Sequence, residues 1–289
     1  MNSKWNKTLP YLMISPYLIV YGIFILIPLI WVFYLSFTNY TPMNPGNWIG
    51  FDNFEKLFND IKFKAALRNT GLFWIFTVIP SMIIGLLVAT FLNTKIKGSS
   101  IFRAIIYLPG VMSGVAVAMT WLWIYDPQNG PVNLVLKAFG GTGKHWLRNP
   151  ETALPAIIII GIWMAIGFSM IIYTAGLQGI SQELYEAASI DGANTVRKFL
   201  SITVPLLRPI TFFLFIMNTI TSFQVFDIVY IMTGGGPANA TTTIVNEIVK
   251  TGFETFNMGY ASSMSIALLI ITLVFTLINY WLNPKESDS

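Results

Sequence analysis

Residues 186–205 read EAASIDGANTVRKFLSITVP, a charged, helix-forming segment that lies between two long apolar runs. Its first residues are good helix formers, and Gly192 is placed to end a helix. A second amphipathic piece follows and stops at Pro205. A loop with this much predicted structure in an apolar chain indicates a docking element for a partner protein.

The composition is that of a protein embedded in a lipid bilayer. Of its 289 residues, 54% are hydrophobic and 10% are charged, and the mean hydropathy is +0.64. Six predominantly apolar segments are long enough to cross about 30 Å of hydrocarbon as helices. They cover residues 11–37, 70–92, 104–125, 152–177, 206–230 and 258–282. These runs lack the alternation of β-barrel strands, so we predict an all-α membrane protein with six transmembrane helices in one domain, residues 1–289.

Several kinds of chemistry are excluded or disfavoured by the residues that are missing. The chain has no cysteine and one histidine, His145, so we expect neither a metal site nor a catalytic cluster. A net charge of +4 is better explained by basic residues at anionic membrane surfaces than by nucleic-acid binding.

Asp227 follows Arg208 by 19 residues, roughly 28 Å along a helix, which predicts a position at the outer interface.

A glycine-rich stretch at residues 140–145 resembles a phosphate-binding loop only superficially. Position 138 is Ala, and Lys144 is followed by His145 where the motif needs Ser or Thr. We interpret it as a flexible turn, so this chain is not expected to hydrolyse ATP.

The orientation in the membrane rests on residues 186–205 more than on basic residues. With both termini cytoplasmic, the inner segments hold nine of the 17 Lys and Arg residues. The positive-inside rule therefore hardly favours one orientation over the other. These nine are Lys4, Lys7, Lys95, Lys97, Arg103, Arg197, Lys198, Arg208 and Lys285. Docking to a cytoplasmic partner predicts that residues 178–205 lie inside.

Three motifs resemble those of one family. Glu186-Ala187-Ala188, Gly192 and Ile202-Thr203-Val204-Pro205 are similar to the cytoplasmic loop signature of membrane subunits of binding-protein-dependent ABC importers, with Val204 where leucine is usual. Residues 176–185 also resemble that family, with Ser181 where proline is common. Residues 226–243, FDIVYIMTGGGPANATTT, are similar to the maltose-type, carbohydrate-uptake permeases.

The resemblance implies a function and a set of partners. It implies a sugar or oligosaccharide permease with alternating access in a bacterial or archaeal inner membrane, and no reaction on this chain. The implied partners are a second, different permease subunit, two ATPase subunits that bind ATP and Mg²⁺, and an extracellular solute-binding protein. The loop residues expected to couple to the ATPase are Glu186, Ala187, Ala188, Asp191, Gly192 and Pro205.

The same resemblance places a substrate path along the third, fourth and fifth spans. The corresponding residues are Ser113, Gly114, Gly161, Trp163, Asn218, Ser222 and Gln224. Neutral amides and hydroxyls suit a sugar, which needs hydrogen-bond partners but no counter-charge. Helix packing is the alternative for the glycines, because Gly110-x-x-x-Gly114 and Gly161-x-x-x-Ala165 have the spacing of close helix contacts. Hydrogen bonds between helices are the alternative for Asn218 and Ser222.

Two other classes of protein remain as alternatives. A secondary carrier or channel for a small neutral solute would have the same apolar spans, but ion-coupled carriers usually place ionisable groups inside them. A membrane-embedded transferase would need an acidic or histidine cluster at an interface. No such cluster is evident in the sequence.

Overall fold

The computed structural model describes residues 3–94 and 97–282. Side chains are described within 11–94, 97–279 and 281, so the predicted inner positions of Lys4, Lys7, Lys95 and Lys285 lie outside this part of the chain. Helices dominate, and the β-structure among the described residues consists of two isolated bridges. The predicted fold class, an all-α membrane protein, is confirmed.

The chain divides into two compact units, residues 1–60 with 247–270 and residues 61–246 with 271–289. In the first unit, α1 (Ser3–Tyr21) and α2 (Ile27–Leu35) are joined by a π-helical turn, Gly22–Leu26, and are followed by α3 (Asp52–Asn59). Most side chains of Tyr11–Leu35 are exposed and apolar, which suits a surface covered by lipid. Two helices, α14 (Ile244–Val249) and α15 (Met258–Leu282), have residues in both units.

The second unit holds the remaining helices. Its α-helices are α4 (Ile61–Leu92), α5 (Ser99–Val111), α6 (Gly114–Ile124), α7 (Pro131–Ala138), α8 (Pro150–Gln178), α9 (Gln182–Ile190), α10 (Thr195–Lys198), α11 (Val204–Leu206), α12 (Arg208–Phe223) and α13 (Asp227–Met232). A π-helical turn, Phe199–Thr203, joins α10 to α11, and another, Lys250–Glu254, follows α14 in the first unit. Helix α8 packs against α4, α5 and α12. It is the central helix of this unit.

Within residues 3–94 and 97–282, five helical segments are long and apolar enough to span a membrane, and a bent pair makes a sixth candidate. The third predicted segment, 104–125, is that pair, because α5 and α6 meet at 99°. Met112 and Ser113 have extended backbones, with ψ of 150° and 133°, so the helix cannot continue through them. Pro109, inside the last turn of α5, further weakens the helix at this point.

Small residues allow the central helices to approach closely. A Cβ atom on Gly85 of α4 would lie 2.6 Å from the Ser169 Cβ atom of α8, and one on Gly167 of α8 would lie 2.5 Å from the Ile106 carbonyl oxygen of α5. These distances are shorter than any real contact of a methyl group. Glycine at these positions therefore sets the helix spacing on which the interior of this unit depends.

Candidate functional site

A cavity of about 550 Å³ lies within the second unit, which is in the size range of small-molecule sites. Helices α4, α5, α6, α8, α12 and α13 contribute to its wall, together with the segment between α12 and α13. The lining residues are Phe73, Thr77, Val78, Ser81, Tyr107, Gly110, Gly114, Gly161, Met164, Ala165, Phe168, Met217, Asn218, Thr221, Ser222, Gln224, Val225, Phe226, Asp227 and Ile228.

Neutral polar groups are concentrated on α4 and α12. Thr77 and Ser81, one turn apart on α4, and Asn218 and Ser222, one turn apart on α12, are all buried. The Asn218 side-chain amide donates a hydrogen bond of 3.1 Å to the Ser169 hydroxyl of α8. Thr77 Oγ1 has no hydrogen-bond partner within the part of the chain that the structure describes. Thr77 Oγ1 is itself enclosed, so the amide oxygen of Asn218 is the acceptor of this pair that is available to a polar ligand.

One carboxylate adds charge to this wall. Asp227 begins α13, directly after the non-helical segment 224–226, and its side chain lies against the start of α6. A Cβ atom on Gly114 would come within 2.7 Å of Asp227 Oδ2, so glycine at position 114 leaves room for this carboxylate. The tertiary structure thus brings Asp227, expected at the outer interface, into the wall of the cavity.

Five of the seven predicted path residues line this cavity. They are Gly114, Gly161, Asn218, Ser222 and Gln224. The other two, Ser113 and Trp163, are not among the lining residues. Ser113 directly precedes α6, and the Trp163 ring makes an edge-to-face contact with the Trp121 ring at 5.7 Å between centroids. Gly161 also serves packing, because a Cβ atom there would lie 2.7 Å from the Phe73 ring of α4.

The contribution of α4 was missed by sequence reasoning. Phe73, Thr77 and Ser81 face the cavity from the second predicted span, which was not expected to contribute. The i, i+4 pair Thr77 and Ser81 in an apolar helix is a signal that could have found it, since such residues share one helix face.

The loop at 178–205 folds into α9 and, from Thr195, a second helical run in which α10 leads through a π-helical turn, Phe199–Thr203, into α11. Helix α9 begins after Ser181, whose hydroxyl accepts a hydrogen bond of 3.3 Å from the Glu183 amide. Gly192 ends it with a φ of +76°, a left-handed conformation that glycine adopts without strain. Asn194 then caps α10 by accepting from the Arg197 amide at 2.8 Å. The predicted helix end at Gly192 therefore corresponds to a real one. The predicted stop at Pro205 is wrong, because helical backbone continues to Leu206 and Pro205 lies in the first turn of α11, where a proline is tolerated.

Side-chain bonds hold the two pieces of this loop together. The Lys198 ammonium donates to the Ser189 hydroxyl at 2.6 Å, and the Tyr185 and Thr203 hydroxyls are 2.8 Å apart. Most of the residues predicted to couple to the ATPase are exposed on the surface of this loop. Glu186, Ala187, Asp191, Gly192 and Pro205 are exposed, and Ala188 is half-buried. The Ile190 side chain is 88% exposed beside them. An ordered, exposed surface with an apolar protrusion suits protein docking.

The glycine-rich stretch at 140–145 has a structural role. The Asn133 side chain accepts from the Lys144 amide at 3.0 Å and donates to the Lys144 carbonyl at 2.9 Å. Lys144 itself lies over the Trp146 ring at 5.6 Å. Among the described residues, no group of three His, Cys, Asp or Glu side chains could hold a metal ion.

Apolar helices around a partly polar cavity, with an ordered loop joining two of the cavity helices, define a polytopic membrane transport subunit. The chain belongs to the family of binding-protein-dependent transport system inner membrane components, whose family model matches residues 71–288. The resemblance seen in the loop signature is thereby confirmed. This chain is an ABC transporter permease.

Curated relatives match over nearly their whole length. The chain is 38% identical to the probable ABC transporter permease protein YesP of Bacillus subtilis, covering 96% of this chain and 93% of YesP. It is 36% identical to the trehalose/maltose transport system permease protein MalF of Thermococcus litoralis, with 93% and 92% covered. It is 33% identical to the sn-glycerol-3-phosphate transport system permease protein UgpA of Rhizobium meliloti, with 94% and 93% covered.

Solved structures show the same fold. A bacterial ABC transporter involved in the import of the acidic polysaccharide alginate has a chain 26% identical to this one, with a TM-score of 0.87 and coverage of 99% and 100%. The bacterial alginate ABC transporter in complex with an alginate pentasaccharide-bound periplasmic protein gives 27% identity and a TM-score of 0.84, with 95% of both chains covered.

Proposed function

We propose that this chain is the permease subunit of an ATP-driven sugar importer and passes a sugar or oligosaccharide through the cavity by alternating access. The observation that carries the proposal is that α8 and α12, which line the cavity, are also the two helices joined by the loop at 178–205. Gly161 in the cavity wall and Gln178 at the end of α8 lie on one helix, roughly 25 Å apart. Movement of the loop would therefore be transmitted directly to the cavity.

The partners follow from the same proposal. Two separate ATPase subunits bind ATP and Mg²⁺ and contact Glu186, Ala187, Ala188, Asp191, Gly192 and Pro205, so this chain has no cofactor or catalytic residue of its own. A second, different permease subunit and an extracellular solute-binding protein complete the importer, and no nucleic acid is involved. The alginate transporter in complex with its periplasmic protein supports an assembly of this kind.

Purification of the complex tests the proposal as a whole. The full chain with an affinity tag, extracted from its native membrane in mild detergent, should co-purify with an ATPase and a second permease chain. Proteoliposomes containing that complex and the binding protein should take up sugar only when ATP is inside. Isolation of the chain alone, with uptake that is independent of ATP, would instead support a secondary carrier or channel.

Labelling predicts the orientation of the loop. The chain has no cysteine, so Thr195→Cys at the exposed start of α10 introduces a unique thiol. A membrane-impermeant maleimide should label it in inverted vesicles and not in intact spheroplasts, because the loop and both termini are expected to be cytoplasmic. Thr142→Cys on the predicted outer loop is the matched control with the opposite pattern. Labelling of Thr195→Cys from outside would contradict the proposed orientation.

Asn218→Leu should impair sugar binding more than it impairs helix packing. Asn218 contacts both the cavity and Ser169, so Ser169→Ala removes the same interhelical hydrogen bond while leaving the amide in place. We expect Asn218→Leu to raise the KM of uptake by about tenfold or more, the cost of losing a buried hydrogen bond to the ligand. Ser169→Ala should change it far less. Equal effects of the two substitutions would show that Asn218 acts through packing alone.

A further inference from the structure

The cavity has a charge asymmetry that bears on the substrate class. Of its lining residues, Asp227 is the sole one with a formal charge, and no Lys, Arg or His is among them. The other polar side chains are neutral hydroxyls and amides on α4 and α12 and after α12, together with the Tyr107 phenol. A substrate that enters this space therefore meets one carboxylate and no cation on the wall that this chain provides.

The Asp227 carboxylate is open to the cavity. Its residue is exposed, and no donor in the described part of the chain hydrogen-bonds to it. A carboxylate can accept several hydrogen bonds, and bonds to an ionised acceptor are about twice as strong as neutral ones. Sugar hydroxyls are suitable donors. The aromatic residues Phe73, Tyr107, Phe168 and Phe226 in the same wall offer apolar surface to the carbon face of a sugar ring.

An anionic substrate would meet the opposite conditions. A phosphate or uronate group needs a basic side chain to replace its hydration shell, and here it would instead approach a like charge. At 6 Å, two like charges repel enough to weaken binding by about tenfold or more at a protein-like effective dielectric constant. The relatives' names include both classes, since trehalose and maltose are neutral whereas sn-glycerol 3-phosphate and alginate are anionic.

We propose that the cavity selects an uncharged glycan, with Asp227 accepting hydrogen bonds from sugar hydroxyls and excluding phosphorylated or uronic-acid sugars. The inference rests on the proposed function and narrows its substrate class. Asp227 is thereby a specificity-determining residue, which the sequence-predicted path did not include.

Two trisaccharides, one neutral and one anionic, test the proposed selection by charge. Maltotriose is neutral and trigalacturonate carries three carboxylates. Their dissociation constants can be measured by saturation-transfer difference NMR on the purified importer complex in lipid nanodiscs, without the binding protein, whose own selectivity would otherwise contribute. We expect maltotriose to bind the wild-type complex at least about tenfold more tightly than trigalacturonate.

Asp227→Asn keeps the shape and one acceptor oxygen but removes the charge. It should weaken maltotriose binding by a few-fold and tighten trigalacturonate binding, so that the preference falls by about tenfold. Glu151→Gln, which removes a carboxylate at the start of α8 outside the cavity, is the matched control and should leave the preference as it is.

The outcomes separate this inference from the proposed function. Equal binding of both probes by the wild-type complex, or equal shifts in Asp227→Asn and Glu151→Gln, would overturn the charge selection while leaving ATP-driven sugar uptake intact. Absence of maltotriose binding in a complex that still imports sugar would overturn the cavity assignment and this inference with it. Failure to isolate an ATPase-containing complex that imports sugar would overturn the proposed function itself.

Discussion

Gly192→Pro is expected to abolish ATP-driven uptake while the protein remains in the membrane at normal amounts. Gly192 has a φ of +76°, which the proline ring cannot adopt, and its amide donates a hydrogen bond of 3.1 Å to the Ser189 carbonyl. Proline would remove that bond and redirect the chain between α9 and α10. The docking surface would lose its shape, because Glu186 to Asp191 and α10 would no longer keep their present arrangement. Uptake into proteoliposomes or cells measures the effect.

Gly140→Pro is the matched control for this substitution. Gly140 has a φ of +80°, no heavy atom lies within 4 Å of a Cβ atom built on it, and its amide donates to the Lys137 carbonyl at 3.0 Å. The backbone disruption is therefore equivalent, but it falls in a loop with no proposed role in coupling. We expect uptake to persist in Gly140→Pro. Normal uptake in Gly192→Pro, or equal losses in both variants, would contradict the docking role of residues 186–205.

Gly167→Ala is expected to destabilise the helical bundle strongly. The added Cβ atom would lie 2.5 Å from the Ile106 carbonyl oxygen and 2.7 Å from the Tyr107 Cα atom, both backbone atoms of α5. Backbone cannot rotate away as a flexible side chain can, so α5 and α8 must separate. Overpacking of this kind typically costs about 1–3 kcal/mol and occasionally more. The yield of monodisperse protein and its melting temperature in detergent should both fall.

Gly71→Ala makes the same chemical change where there is space. No heavy atom lies within 4 Å of a Cβ atom built on Gly71, which is inside α4. Alanine is the better helix former by up to about 1 kcal/mol, so this variant should be neutral or slightly more stable. If Gly167→Ala melts at the same temperature as Gly71→Ala, then α5 and α8 are not held as closely as the structure shows.

The class of the fold could be predicted because the bilayer imposes a simple rule. A segment such as 152–177 must satisfy its own backbone hydrogen bonds in hydrocarbon, so length and apolar composition suffice to predict a helix. The helix end at Gly192 could be predicted for the same reason, since a glycine with positive φ acts through local backbone geometry. The caps at Ser181 and Asn194, which the structure shows, act just as locally. Local rules of this kind need no knowledge of the partners.

The third span shows where such rules stop. Residues 104–125 are apolar throughout and predict one helix, whereas the backbone is extended at Met112 and Ser113 and the two halves meet at 99°. Pro109 and Gly110 indicate a weak point, but the direction of the chain after it depends on packing against α8 and α13. That packing is not encoded in the hydropathy of the segment.

The residues that line the cavity could not be predicted for the same reason, because they depend on how the helices pack against one another. In a mostly apolar stretch such as residues 70–92 of α4, hydrophobic periodicity does not indicate which face meets a neighbour, so Thr77 and Ser81 went unassigned until α8 and α12 were in place. Asp227 was judged by its distance along a continuous helix from Arg208. The break at 224–226 between α12 and α13 turns its carboxylate toward Gly114 and the cavity, a contact that distance along a helix does not indicate, and its depth in the membrane stays a prediction.

By itself, the sequence determined that the chain is an all-helical membrane permease with an ordered loop at 178–205, because the bilayer environment and the residues at helix ends act on each segment separately. Only the tertiary structure decided which polar groups share a cavity, because that depends on helix breaks and on close approaches at Gly114, Gly161 and Gly167 between residues far apart in the chain.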